Sequence, residues 1–123
     1  MGYCIDLTDH DFKIKKEDED KVLADLKEYI KTNERPMYIT PSEVINSEHI
    51  FEAFDAIRYE LINDENGDYI LNDFHGEKFG DDTKILNSIA KYVAADSFIE
   101  FVGEDGSVFA LTFDGEKCEE VWD

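Results

Sequence analysis

The sequence predicts an α+β domain: a single antiparallel sheet of several hairpin-connected strands, with three helices packed mainly on one face. Three observations carry this. Apolar residues alternate at period two in several short segments, they recur at helical period in three others, and turn dipeptides such as Asn66-Gly67 and Asp114-Gly115 separate the alternating runs. At 123 residues the chain is read as one domain spanning residues 1–123. Its 42% hydrophobic and 13% aromatic content supplies a core that a disordered acidic tail would lack.

Residues 2–7 place Tyr3, Ile5 and Leu7 on one side of a strand; residues 8–11 read as a polar turn, and Phe12 and Ile14 as a second short strand. Val22, Leu23, Leu26, Tyr29 and Ile30 then form one helical stripe. The acidic run Glu17, Asp18, Glu19 and Asp20 precedes it, where negative charge favours the helix dipole, and residues 33–36 end it. Met37, Tyr38 and Ile39 read as a short strand. Thr40-Pro41-Ser42-Glu43 has the form of a capping box, Ser47 is a competing cap, and Ile50, Phe51, Phe54 and Ile57 are the stripe of the second helix.

Residues 59–62 and 68–74 flank Asn66-Gly67, a type I′ hairpin signal. Residues 78–80 read as a loop; Asp81 or Asp82 caps a third helix with Ile85, Leu86, Ile89, Tyr92 and Val93 facing inward. Strands at residues 98–102, 108–113 and 117–122 close an expected order of ββαβαββαβββ.

No cofactor motif, metal-ligand spacing or nucleophile constellation stands out, so no catalytic, metal or cofactor residue is expected and the chain reads as a non-enzyme. Cys4 and Cys118 lack a neighbouring Cys at metal-ligand spacing and read as separate packed thiols. Asp9-His10-Asp11 cannot converge on one ion from a strand. Asp64, Asn66 and Asp68 mimic the start of a calcium loop, but Tyr69 and His75 occupy the places of its glycine and bidentate glutamate.

Charge is the best functional clue. The chain carries 31 acids and 12 bases, a net charge of −19, which excludes a basic nucleic-acid reader and a protein that docks on anionic lipid. Residues 59–123 hold 17 acids against 4 bases, too few for internal pairing. The expected acidic face comprises Asp64, Glu65 and Asp68 at one hairpin, Asp81 and Asp82 at a helix start, and Glu104, Asp105, Glu116, Glu119 and Glu120 near the C-terminus. Alternate strand residues project to one side about 6.6–6.8 Å apart, so such carboxylates reach phosphate-like separations and attract Lys/Arg grooves. The plain alternative is a surface that only keeps the protein soluble. Trp122 is either an anchor beside these acids or the last core residue. The absence of an apolar run of about 20 residues, or of a basic and apolar leader, points to the cytoplasm.

Gly76-Glu77-Lys78, Gly80-Asp81-Asp82, Ile89-Ala90-Lys91-Tyr92-Val93, Ile99-Glu100, Gly103-Glu104-Asp105-Gly106 and Gly115-Glu116-Lys117-Cys118, with Gly2-Tyr3 and Asp11-Phe12-Lys13-Ile14, resemble small acidic proteins of bacteriophages and mobile elements. The resemblance spans most of the chain. It implies an accessory protein that blocks host defence, CRISPR nucleases included, by stoichiometric binding inside the bacterial host. The expected partner is therefore a basic surface of a nucleic-acid-acting protein, engaged by mimicry or steric block, with neither nucleic acid nor membrane bound directly. The alternatives are an immunity-type protein that neutralises a cationic toxin, and a soluble interaction domain.

Overall fold

The computed structural model describes residues 2–33 and 36–123. In chain order it contains β1 (Tyr3–Asp11), β2 (Lys13–Ile14), a 3-10 turn (Lys16–Asp18), α1 (Glu19–Thr32), α2 (Pro41–Ile45), α3 (Ile50–Ala56), β3 (Tyr59–Asn63) and β4 (Tyr69–Phe74). There follow β5 (Lys78–Phe79), α4 (Asp82–Asn87), a second 3-10 turn (Ala90–Tyr92), β6 (Phe98–Gly103), β7 (Val108–Phe113) and β8 (Cys118–Trp122). The α+β class is as expected. The single sheet and the three helices are not: among the described residues there are two antiparallel sheets, β5-β1-β6-β7-β8 and β2-β4-β3, and four α-helices.

Each departure has an identifiable cause. Residues 8–11 are not a turn, because β6 supplies main-chain partners as far as Asp11↔Phe98. A register shift between Leu7 and Asp9 accommodates Thr8, whose hydroxyl donates to the Glu100 carboxylate at 2.8 Å. Phe12 then separates β1 from β2, which joins β4 instead. Lys78 and Phe79 are strand rather than loop, pairing with Cys4 and Tyr3. Met37, Tyr38 and Ile39 are not a strand: Tyr38 sits in the left-handed region at φ 65° and the Met37 N–H is taken by the Asp81 carboxylate at 2.9 Å.

The second expected helix is two. Ser47 donates to the Glu43 carbonyl at 2.7 Å and so closes α2 instead of capping α3. His49 caps α3, its Nδ1 accepting from the Phe51 N–H at 3.2 Å. Thr40 precedes α2 without a side-chain capping bond. In α1, Val22, Leu26 and Ile30 are buried and Asn33 follows the last turn; of the expected terminator, residues 34–35 lie outside the described residues.

Alternation divides the large sheet into two faces. Ile5, Ile99, Phe101, Phe109, Leu111, Phe113 and Cys118 are buried, whereas the intervening Asp6, Glu100, Val102, Val108, Ala110 and Thr112 keep contact with solvent. Phe12 joins the two sheets, its ring 5.3 Å from Phe113 and 6.3 Å from Phe54, and its carbonyl accepts from the Leu71 N–H. A row of rings runs through the core as Tyr59, Phe74, Phe101, Phe109 and Trp122, with successive centroids 5.0, 5.3, 5.4 and 4.3 Å apart. Fully burying one such ring stabilises the fold by about 1.5–3 kcal/mol.

Behind this row lies a buried polar knot. Arg58, left-handed at φ 81°, sends one guanidinium nitrogen to both oxygens of Asp82 at 2.8 Å and another to the Lys78 carbonyl. Asp82 also accepts from the Tyr59 hydroxyl and the Gly80 N–H, each at 2.8 Å. Desolvation, then the adjacent Asp82 charge, drives the Tyr59 hydroxyl well above its ordinary range.

Candidate protein-binding surface

The structure separates the acids that the sequence grouped. At the β3–β4 hairpin, Gly67 (φ 85°) supplies the turn geometry and Asp64 organises it, its carboxylate accepting from the Asn66 and Asp68 N–H groups at 2.8 and 3.0 Å. Lys13, placed opposite by the β2–β4 pairing, lies 3.1 Å from Asp64 and 4.0 Å from Asp68. Asp68 accepts from the Lys16 N–H, and the Lys16 ammonium donates to the Asn66 carbonyl. Desolvation pushes the Asp64 carboxyl up, but Lys13 and the two N–H donors outweigh it and hold the group below the usual carboxylate range. Lysines from the first half thus neutralise this hairpin, against expectation, and Glu65 is left exposed at its tip without an ion pair among the described residues.

Asp82 is only 2% exposed and is committed to Arg58, so it leaves the expected surface. Glu116 belongs to the β7–β8 turn, at the opposite end of β7 from Glu104 and Asp105. That turn is built by Asp114, held low by the N–H groups of Lys117 and Glu116. Glu119 projects from the face opposite the core and pairs with Lys117 at 3.0 Å.

Three of the expected acids, Glu104, Asp105 and Glu120, are tied to one aromatic patch of the large sheet through Cys4, Tyr3 and Trp122, and Asp81 is tied to Met37. Tyr3 pairs directly with Phe79 across β1 and β5, and its ring crosses Gly103, where a Cβ would overlap the hydroxyl. The Tyr3 hydroxyl donates to Asp105. This donor, with the Ser107 N–H, holds Asp105 below its ordinary range, while the same bond drives Tyr3 up. Glu104 accepts from the Cys4 N–H at 2.9 Å.

Trp122 stacks on Phe109 at 4.3 Å and 18°, lies 6.1 Å from Tyr3, and donates its indole N–H to Glu120 at 2.6 Å. Glu120 is fixed further by the Thr83 hydroxyl at 2.7 Å. Asp81 accepts from the Met37 N–H, and Met37 lies against Gly80. Trp122 and Met37 remain 45% and 51% exposed. No ion pair reaches Asp81, Glu104, Asp105 or Glu120 among the described residues. One face of Trp122 therefore packs into the fold on Phe109, and the rest of the ring is open to solvent.

The other reactive groups are engaged in packing and pairing. His49 contacts Glu19 at 2.9 Å through Nε2 while Nδ1 caps α3, and His75 contacts Asp55 at 2.8 Å. Cys4 and Cys118 are free thiols, with β6 and β7 between their strands. Burial, then the neighbouring Glu120 and Glu119, pushes the Cys118 thiol up to about 12, which removes its thiolate at neutral pH. Among the described residues, no cluster of three His, Cys, Asp or Glu is placed to hold a metal, and no helix is long and apolar enough to cross a membrane.

No family model, curated protein or solved structure matches this chain. The chemistry of the patch itself therefore carries the functional reading. No local pattern marks Phe79 as a member of this patch, which it joins through Phe109 and Tyr3. Gly103 was the available signal: a glycine closing a strand makes room for a ring crossing from the neighbouring one.

Proposed function

We propose that this chain is a non-enzymatic acidic binding protein whose aromatic patch docks against a cation-rich protein surface. One observation carries the reading: half-exposed Trp122 packs on Phe109 and Tyr3 beside Glu120 and Asp105, carboxylates that no cation pairs among the described residues. An apolar centre is suited to being desolvated as an anchor, and the surrounding acids give steering and register. Carboxylates around an apolar centre favour a steric block over imitation of a phosphate file. The resemblance to phage and mobile-element proteins favours a bacterial nucleic-acid-acting defence protein as the blocked partner, in the cytoplasm of the host.

The test is capture from bacterial lysate on the immobilised chain, run in parallel with W122A and with E104Q/D105N/E120Q. The expected result is retention of nucleic-acid-binding proteins that release between about 50 and 200 mM salt, as counterion-linked contacts do. W122A and the triple variant should each lose that retention. Retention that survives 500 mM salt, or that is the same in all three proteins, overturns the reading.

A further inference from the structure

The small sheet carries a second surface, independent of the aromatic patch. β3 is its outer strand, bonded to β4 on one side only. The Leu71 N–H donates to the Phe12 carbonyl, on the far side of β4 from β3. Leu61, paired with Leu71, is therefore at a non-hydrogen-bonded position, and its own N–H and C=O point to the free edge. Asn63, two residues on, repeats that orientation. Among the described residues, no main-chain bond from outside the ladder reaches either one.

A groove of about 530 Å³ runs along this edge. Its apolar floor is Phe51, Leu61 and Ile62, the last 38% exposed, and its acidic walls are Glu52 and Asp55 of α3 and Glu60 of β3. No lysine or arginine lines it. An adjoining cleft shares Glu52 and Asp55 and adds Glu43. Exposed sheet edges are commonly defended by lysine or proline; this one carries glutamate. That choice repels a second copy of a chain whose net charge is −19, and it attracts a basic strand.

We propose that the β3 edge takes an extended cationic segment of a partner protein as an added strand, with an apolar side chain on the Phe51–Leu61–Ile62 floor and Lys or Arg against Glu52, Asp55 and Glu60. Leu61 and Asn63 offer up to four main-chain bonds to such a segment, which supply the affinity, while the groove supplies the specificity. The surface is separate from Trp122, so it stands or falls without the docking patch.

The probe is a capped alternating Lys-Val hexapeptide, compared with the same peptide N-methylated at alternate residues. The methylated form keeps charge and side chains but loses the donors that would face β3. With the unmodified peptide at saturation, amide hydrogen exchange at Leu61 and Asn63 should slow at least tenfold. The methylated peptide, and E52Q/D55N/E60Q protein with the unmodified one, should each bind at least tenfold more weakly. Unchanged exchange at Leu61 and Asn63, equal binding of the two peptides, shifts centred on the Trp122 indole, or self-association of the free chain through β3 would each overturn the proposal.

Discussion

Asp82→Ala leaves the Arg58 guanidinium inside the fold with its counter-charge gone. The side chains of the pair are 10% and 1% exposed, so water cannot take over. Removing one partner of a buried ion pair costs about 3–5 kcal/mol. The same carboxylate also accepts from Tyr59 and Gly80, and a buried donor left unsatisfied costs about 1–3 kcal/mol. These penalties share one acceptor and do not add, so about 4–5 kcal/mol is expected for the whole loss. A domain of 123 residues has about 6–18 kcal/mol in total, and the thermal midpoint should fall by about 10–20 °C. Arg58→Met orphans the carboxylate instead and should cost about 3 kcal/mol, with Tyr59 and Gly80 still bonded to it. Urea unfolding of both single variants and R58M/D82A, followed by circular dichroism, measures the coupling. Stability of the double variant close to that of D82A alone, with a coupling above about 2 kcal/mol, is the expected outcome. A D82A cost under about 1 kcal/mol, or strictly additive effects, refutes the buried-pair reasoning.

Five further outcomes follow from the same geometry. Native protein treated with iodoacetamide at pH 8 should label at Cys4 and spare Cys118, whose thiol is pushed up to about 12; mass spectrometry showing equal labelling would contradict this. Asp64, Asp105 and Asp114 titrate below the ordinary carboxylate range when folded, so their contribution to stability is present above about pH 4 and is lost as pH falls through the lowered values. Y3F should return the Asp105 titration toward that ordinary range, a change visible in carboxyl carbon NMR. Raising NaCl from 20 to 300 mM should raise the thermal midpoint, because screening relieves the self-repulsion of the −19 net charge, and a falling midpoint would sink that account. Gly103→Ala should expel the Tyr3 ring and break its bond to Asp105, seen as loss of the contacts between Tyr3 and Trp122 in NOE spectra.

What was legible in the sequence is what depends on neighbours along the chain. The Val22, Leu26 and Ile30 stripe is buried, and turns do form at Asn66-Gly67 and Asp114-Gly115, but only the glycines have positive φ, so the first is not the expected type I′ turn. What was not legible depends on partners far away. Lys78 and Phe79 become strand only because β1 is beside them, and residues 8–11 stay extended only because β6 is. Lys13 neutralises Asp64 because β2 pairs with β4, a contact no local pattern announces. Asp81 and Asp82 are adjacent with opposite fates, one tied to the Met37 N–H and one in the core, and only the placement of Arg58 separates them. The expected acids therefore do not form one contiguous face.

The row of packed rings has a practical consequence. Its outermost member is the sole tryptophan, so the emission of this chain has a single source, one side of it pressed on Phe109 and the other open to water. Its colour and quenching report the last strand's attachment and the arrival of anything that covers it, with no dye or label added.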